Sequence, residues 1–258
     1  AARKALTLMP DHQFPHMVMA RYYYQGHLDY ERALEHLEKV RELLPNHNWM
    51  LYWTGAVLRR QGKFEQALAS FKRASELNPL NSLNAYDVGN TLLSLREYKQ
   101  AEHYYELATT LDPNWPLFCA KKASLYLKWQ GDTQKARKVI EDELLHNKKL
   151  ASNMEIFNVL VTADLYDGQY EQALDKLIER SQDYVNNAWF IPNSLWQAMV
   201  YGYMGEKELE KQYYETAVAI LEDKVVQNPG DDRQDRDDDQ ELQQRETRAL
   251  PGSRAPLP

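Results

Sequence analysis

Small and apolar residues recur through the first half of the chain with a period longer than any single helix or strand produces. Residues 48-81 and 82-115 align without a gap, which places Gly55 over Gly89, Ala67 over Ala101, Phe71 over Tyr105, Ala74 over Ala108 and Pro79 over Pro113. Pro45, Pro79 and Pro113 stand 34 residues apart, and each closes the same helical phrase. The spacing predicts two antiparallel helices per unit. Small residues let the backbones approach, the aromatic fills the space between them, and the proline, which has no backbone N–H, stops the second helix. A fixed period of this length marks a repeat architecture.

These residues resemble the tetratricopeptide repeat (TPR), a helix-turn-helix unit with small residues at its eighth, twentieth and twenty-seventh positions. The resemblance implies an all-α fold, a right-handed α-solenoid of stacked helix pairs. Residues 13-47 fit through Ala20, Tyr23, Ala33, Leu37 and Pro45, with one extra residue in the turn around Gly26 to Asp29. Residues 116-150 fit through Ala123, Tyr126, Gly131 and Ala136, again with one extra turn residue, and Lys148 stands where the closing proline is expected. Residues 154-187 fit through Gly168, Tyr170, Ala173 and Leu177. A sixth unit begins near Ile191 after a short insertion containing Trp189 and Phe190. It keeps Ala198, Tyr201, Gly205, Tyr214 and Ala217 but has Glu210 in place of alanine. Six repeats are therefore expected over residues 13-228. Residues 1-12, with Ala5 and Pro10 in phase, read as the second helix of a repeat whose first helix is missing, so the sequence is expected to be a piece of a longer protein.

Residues 229-258 follow a different grammar, acidic first and then proline-containing, with no apolar period, and are expected to be disordered. Asp235, Asp237, Asp239 and Glu246 there match the ligand spacing of an EF-hand calcium loop. Gln240 takes the place of the glycine that its sharp turn needs, so no metal is expected.

Composition narrows the function classes. The chain has 258 residues, is 43% hydrophobic and contains no apolar run long enough to span a membrane. Its net charge is -7, of which -3 belongs to residues 229-258, and the even spread of the rest argues against a nucleic-acid binder, which needs a concentrated basic face. The single cysteine, Cys119, excludes an internal disulfide framework and reads as a small core residue. His12 and His16 have the spacing of helical metal ligands, but Pro15 interrupts them and no third ligand is evident. No catalytic motif occurs, so neither an enzyme nor a cofactor is expected. The absence of a leader makes cytoplasm the default compartment, with an extracytoplasmic domain of a membrane-anchored protein as the alternative.

A stacked array offers a concave surface lined by the first helix of each unit. Transferred position by position, the resemblance implies groove residues Phe14, Met17, Arg21 and Tyr24 in the first complete unit, then Trp49, Tyr52 and Arg59, then Tyr86 and Asn90, and Lys128 in the fourth. Tyr, Trp and Arg are the residue types that anchor protein interfaces. The arginines suit a carboxylate and Asn90 a peptide backbone. A carboxylate clamp for chaperone tails would need Lys and Asn where Met17 and Arg21 stand, and that ligand is rejected. The expected partner is a protein or peptide, with self-association as a further possibility. The phrases Tyr22 to Leu34, Val57 to Gly62 and Trp129 to Asp132 also resemble the C-terminal TPR arrays of bacterial signalling proteins. In those, a TolB-like region and an adenylate cyclase, kinase or winged-helix domain precede the repeats. That resemblance implies a regulatory segment of a larger protein as the alternative reading.

Overall fold

The computed structural model describes residues 2-180, 183-185 and 190-227. The expected tail at 229-258, with its calcium-like loop, lies outside them. The chain forms two compact units, Ala1–Gln169 and Tyr170–Pro258.

The first unit is a row of helices: α1 (Ala2–Leu8), α2 (Gln13–Arg21), α3 (Tyr30–Leu43), α4 (Asn48–Arg60), α5 (Phe64–Leu77), α6 (Ser82–Ser94), α7 (Tyr98–Leu111), α8 (Pro116–Gln130), α9 (Thr133–His146) and α10 (Met154–Tyr166). Each even-numbered helix from α2 to α8 packs on its successor, and each second helix packs on the first helix of the next pair. This nearest-neighbour stacking spreads the core as a strip instead of gathering it in one centre. Ala33, Ala67, Ala101 and Ala136 are fully buried in the successive second helices, as are Phe71 and Tyr105. A Cβ on Gly55 would lie 3.0 Å from the Phe71 ring, and one on Gly89 would lie 3.0 Å from the Tyr105 ring. The small-residue and aromatic positions of the repeat are thus one joint, in which the missing side chain is the space the ring occupies.

The sequence irregularities have physical counterparts. The extra residue of the first pair does not simply lengthen a turn: α2 runs into a π-helical segment, Tyr22–His27, and ends at Leu28 with φ 53°. A π turn takes an additional residue without breaking the helix, which keeps Tyr23 facing the core. The extra residue of the fourth pair lengthens α8 to 15 residues, against 13 in α4 and α6. Where proline is replaced by Lys148, a 3-10 segment, Lys148–Ser152, ends the pair and buries Leu150.

His12 caps α2 by accepting a hydrogen bond from the Phe14 N–H, and His16 pairs with His36 of α3. The two Nδ1 atoms are 2.9 Å apart, and His16 Nε2 lies 2.8 Å from the Pro10 carbonyl, so the cluster ties the α1–α2 turn to α2 and α3. Burial and the neighbouring His16 push His36 down to about 4. A folded value below the unfolded one means that the unfolded chain binds the proton more tightly between about pH 6.5 and 4. Stability is therefore full above that window and falls as the pH drops through it. We expect the loss to reach about 2 kcal/mol for this partly buried group. Urea unfolding at pH 7 and at pH 4.5, compared with His36→Leu, measures it: the variant should lose less stability on acidification than the parent.

The second unit contains α11 (Tyr170–Arg180), α12 (Asn193–Met204) and α13 (Lys207–Gln227). Between α11 and α12 lies a two-stranded antiparallel ladder, β1 (Tyr184–Val185) on β2 (Phe190–Ile191), with Tyr184 opposite Ile191. This small departure from an all-helical chain joins the end of the fifth expected unit to the start of the sixth, across the insertion. Ala173, Leu177, Ala198, Val200 and Ala217 are buried apolar positions of the second unit among the described residues. Glu210, the departure from alanine, is accommodated by Gly202: a Cβ there would lie 2.8 Å from the Glu210 carboxylate. Among the described residues no helix is long and apolar enough to cross a membrane.

Candidate functional site

The side chains of α2 and α4 frame a groove of about 460 Å³ on the first unit. Phe14 and Trp49 are exposed at 62% and 43%, and Met17 and Trp53 supply more apolar lining. His47, the cap of α4, accepts from the Met50 N–H and fixes where that helix begins beside the groove. Arg21 is the charged residue of the lining, as His47 serves as a cap. Its guanidinium lies 5.2 Å over the Trp53 ring and donates to Gln25 Oε1 at 3.4 Å, with no carboxylate among its described partners. An apolar slot with an unneutralised guanidinium at its wall can hold a bulky apolar side chain and a neighbouring acidic group together.

The next stretch of the same face is an internal polar network. Arg59 of α4 forms an ion pair with Asp87 of α6 at 2.7 Å, where the Asp87 side chain is 4% exposed and that of Arg59 is 26%. The guanidinium also lies 5.0 Å over the Phe71 ring. Burial opposes the Arg59 charge, but the Asp87 carboxylate outweighs it and holds the group above its ordinary value. Burial, and then the negative charge of Asp87, raise the Tyr52 hydroxyl well above the usual phenol range. Burial pushes Tyr86 up to about 12, against a hydrogen bond with Asn90. Asn90 Oδ1 in turn accepts from the Tyr105 hydroxyl at 2.8 Å.

The residues expected from the sequence therefore divide. Phe14, Arg21 and Trp49 come together around one groove. Tyr24 packs edge-on against Trp53 at 5.8 Å, and Arg60 Nε donates to its hydroxyl. Tyr52, Arg59, Tyr86 and Asn90 are held by partners within the array. Lys128 lies on α8, where partial desolvation and Lys121 lower its ammonium below the ordinary value. It lines neither the groove nor the small polar hollow of about 140 Å³ between α8 and α10. Trp53 was not among the expected contacts; its adjacency to Tyr52 on a first helix was the available signal. Cys119 is buried, and desolvation pushes its thiol up to about 12, which fits a core residue rather than a nucleophile.

Residues 26-108 match the family model of anaphase-promoting complex, cyclosome, subunit 3. A tetratricopeptide repeat protein from Parabacteroides merdae is 17% identical over 80% of this chain and 79% of its own, with a TM-score of 0.61. The fold is that of a tetratricopeptide-repeat protein. A chain of the APC/C hetero-tetramer Cut9-Hcn1 is 18% identical over 85% of this chain and 42% of its own, with a TM-score of 0.66. YrrB, described as a TPR protein with an unusual peptide-binding site, is 18% identical over 83% of this chain and 98% of its own, with a TM-score of 0.51. No curated protein matches the TPR chain in sequence. At these identities the structural likeness speaks to fold, and what the groove binds has to be argued from its own chemistry.

Proposed function

We propose that this TPR array is a protein-interaction scaffold, a binding module and not an enzyme, which takes an extended peptide or partner segment into the groove between α2 and α4. The carrying observation is that Phe14 and Trp49 stay exposed across a preformed hollow whose Arg21 has no carboxylate partner among the described residues. Exposed aromatics gathered in one hollow, rather than scattered singly, mark interaction sites, and aromatic and Arg anchors dominate interface energies. The peptide site in the description of YrrB and the assembly in that of Cut9-Hcn1 lend this reading support. The resemblance to repeats of bacterial multidomain regulators would make the groove the sensory end of such a protein.

Selection of peptides from a displayed random library against the full chain, followed by calorimetry on the binders, tests the proposal. We expect Phe14→Ala, Arg21→Ala and Trp49→Ala each to weaken the selected peptides about tenfold, with unchanged helical circular dichroism. Leu145→Ala, on the exposed side of α9, should have no effect. Tyr52 is unsuited to this test, because its truncation would also disturb Asp87. Equal affinity across the three groove variants would remove the groove from consideration.

A further inference from the structure

The last described helix carries an open face of its own, independent of the groove. α13 has 21 residues, against 14 in α3, α5, α7 and α9. In the alignment of units Tyr214 takes the place of Phe71 and Tyr105, both completely buried, and Phe71 is packed in a cluster with Val88 and Leu92 of the following first helix. Tyr214 is 38% exposed, with Val218 at 51% and Leu221 at 38% beside it. Lys207, Lys211, Tyr214, Val218 and Glu222 follow one another at helical spacing and so share a face, which frames a hollow of about 440 Å³ lined by α13 alone.

The charges on this face are polarised along the helix. Lys207 and Lys211 lie toward its N-terminal end and Glu222 toward its C-terminal end, with Glu215 between them. Glu210 is occupied by Lys207 at 3.0 Å and by its seat over Gly202, and Lys211 reaches Glu215 only at 3.9 Å. The face is therefore complementary to itself when reversed. Two antiparallel copies set Lys211 against Glu222 of the other at both ends, with Tyr214 and Val218 of each enclosed between them. Parallel copies would set lysine against lysine.

We propose that this face of α13 is a self-association surface that pairs with the same face of a second copy, antiparallel about a two-fold axis. An isologous contact of this kind closes at two copies. A single helix pair sits at the small end of specific interfaces, so the dimer should be weak and reversible.

Sedimentation velocity of the full chain over a concentration series tests this. The expected result is a reversible monomer–dimer transition. Val218→Glu, which sets a carboxylate near Glu215 of the other copy, should weaken it at least tenfold while leaving the circular dichroism and melting of the half-exposed site unchanged. Lys211→Glu and Glu222→Lys should each weaken the dimer, and the two reversals together should restore it. A full chain that stays monomeric overturns the proposal, and protection of α13 amides in that monomer would assign the face to residues beyond Gln227. A dimer indifferent to Val218→Glu, or one that the paired reversal fails to rescue, overturns it equally.

Discussion

Replacing Asp87 by alanine is expected to destabilise the middle of the first unit by about 3 kcal/mol, because it leaves the Arg59 guanidinium without its counter-charge in a largely enclosed position. The Asp87 side chain is 4% exposed and accepts from Arg59, so its loss leaves that guanidinium without its partner. Arg59 is 26% exposed and has some path to water, which holds the cost below that of a fully enclosed pair. Removing both charges is a different experiment. Arg59→Met with Asp87→Leu should recover most of the loss, since replacing a buried pair by apolar groups avoids the desolvation that the pair itself incurs. Urea unfolding of the single and double variants measures both values. A loss under about 1 kcal/mol for Asp87→Ala would mean that Arg59 swings into solvent and that the pair is a surface contact.

The same pair shows where reading the sequence stops. Arg59 stands at a repeat position that implies a groove contact, and its partner lies 28 residues away on the next first helix, which no periodicity announces. Polar residues on a first helix read as solvent-facing; whether one meets an acid on its neighbour is settled by stacking. Asn90 is a parallel case, used by Tyr105 within its own unit. Trp53 is the opposite case: its place beside Tyr52 on a first helix is the signal for the groove it walls, but a large apolar side chain reads equally well as core. The helix pairs themselves were legible because Gly55 with Phe71 and Gly89 with Tyr105 record a contact between two helices of one unit at constant spacing. Irregularities were visible as counts but not as shapes. One extra residue near Gly26 became a π turn, and the other became a longer α8. Glu210 was visible as an exception, while its remedy, the open space over Gly202, lies on a different helix.

Two phenylalanines of this chain should respond in opposite ways to the same substitution. Phe71 has no exposed surface and meets Gly55, Tyr52 and Arg59, so Phe71→Ala is expected to cost about 3–5 kcal/mol through lost burial and a cavity that rigid helix pairs cannot close. Phe14, at 62% exposed, should cost under about 0.5 kcal/mol on the same change, its effect falling on partner binding. Because each helix packs mainly on its neighbours, the damage from Phe71→Ala should stay local. Hydrogen exchange should accelerate in α4, α5 and α6 while α9 and α10 keep their protection, and a single melting temperature would understate the loss. Uniform acceleration through α10 would show that the first unit unfolds as one cooperative body, in which case α2 and α4 hold the groove only as firmly as the whole row of helices holds together.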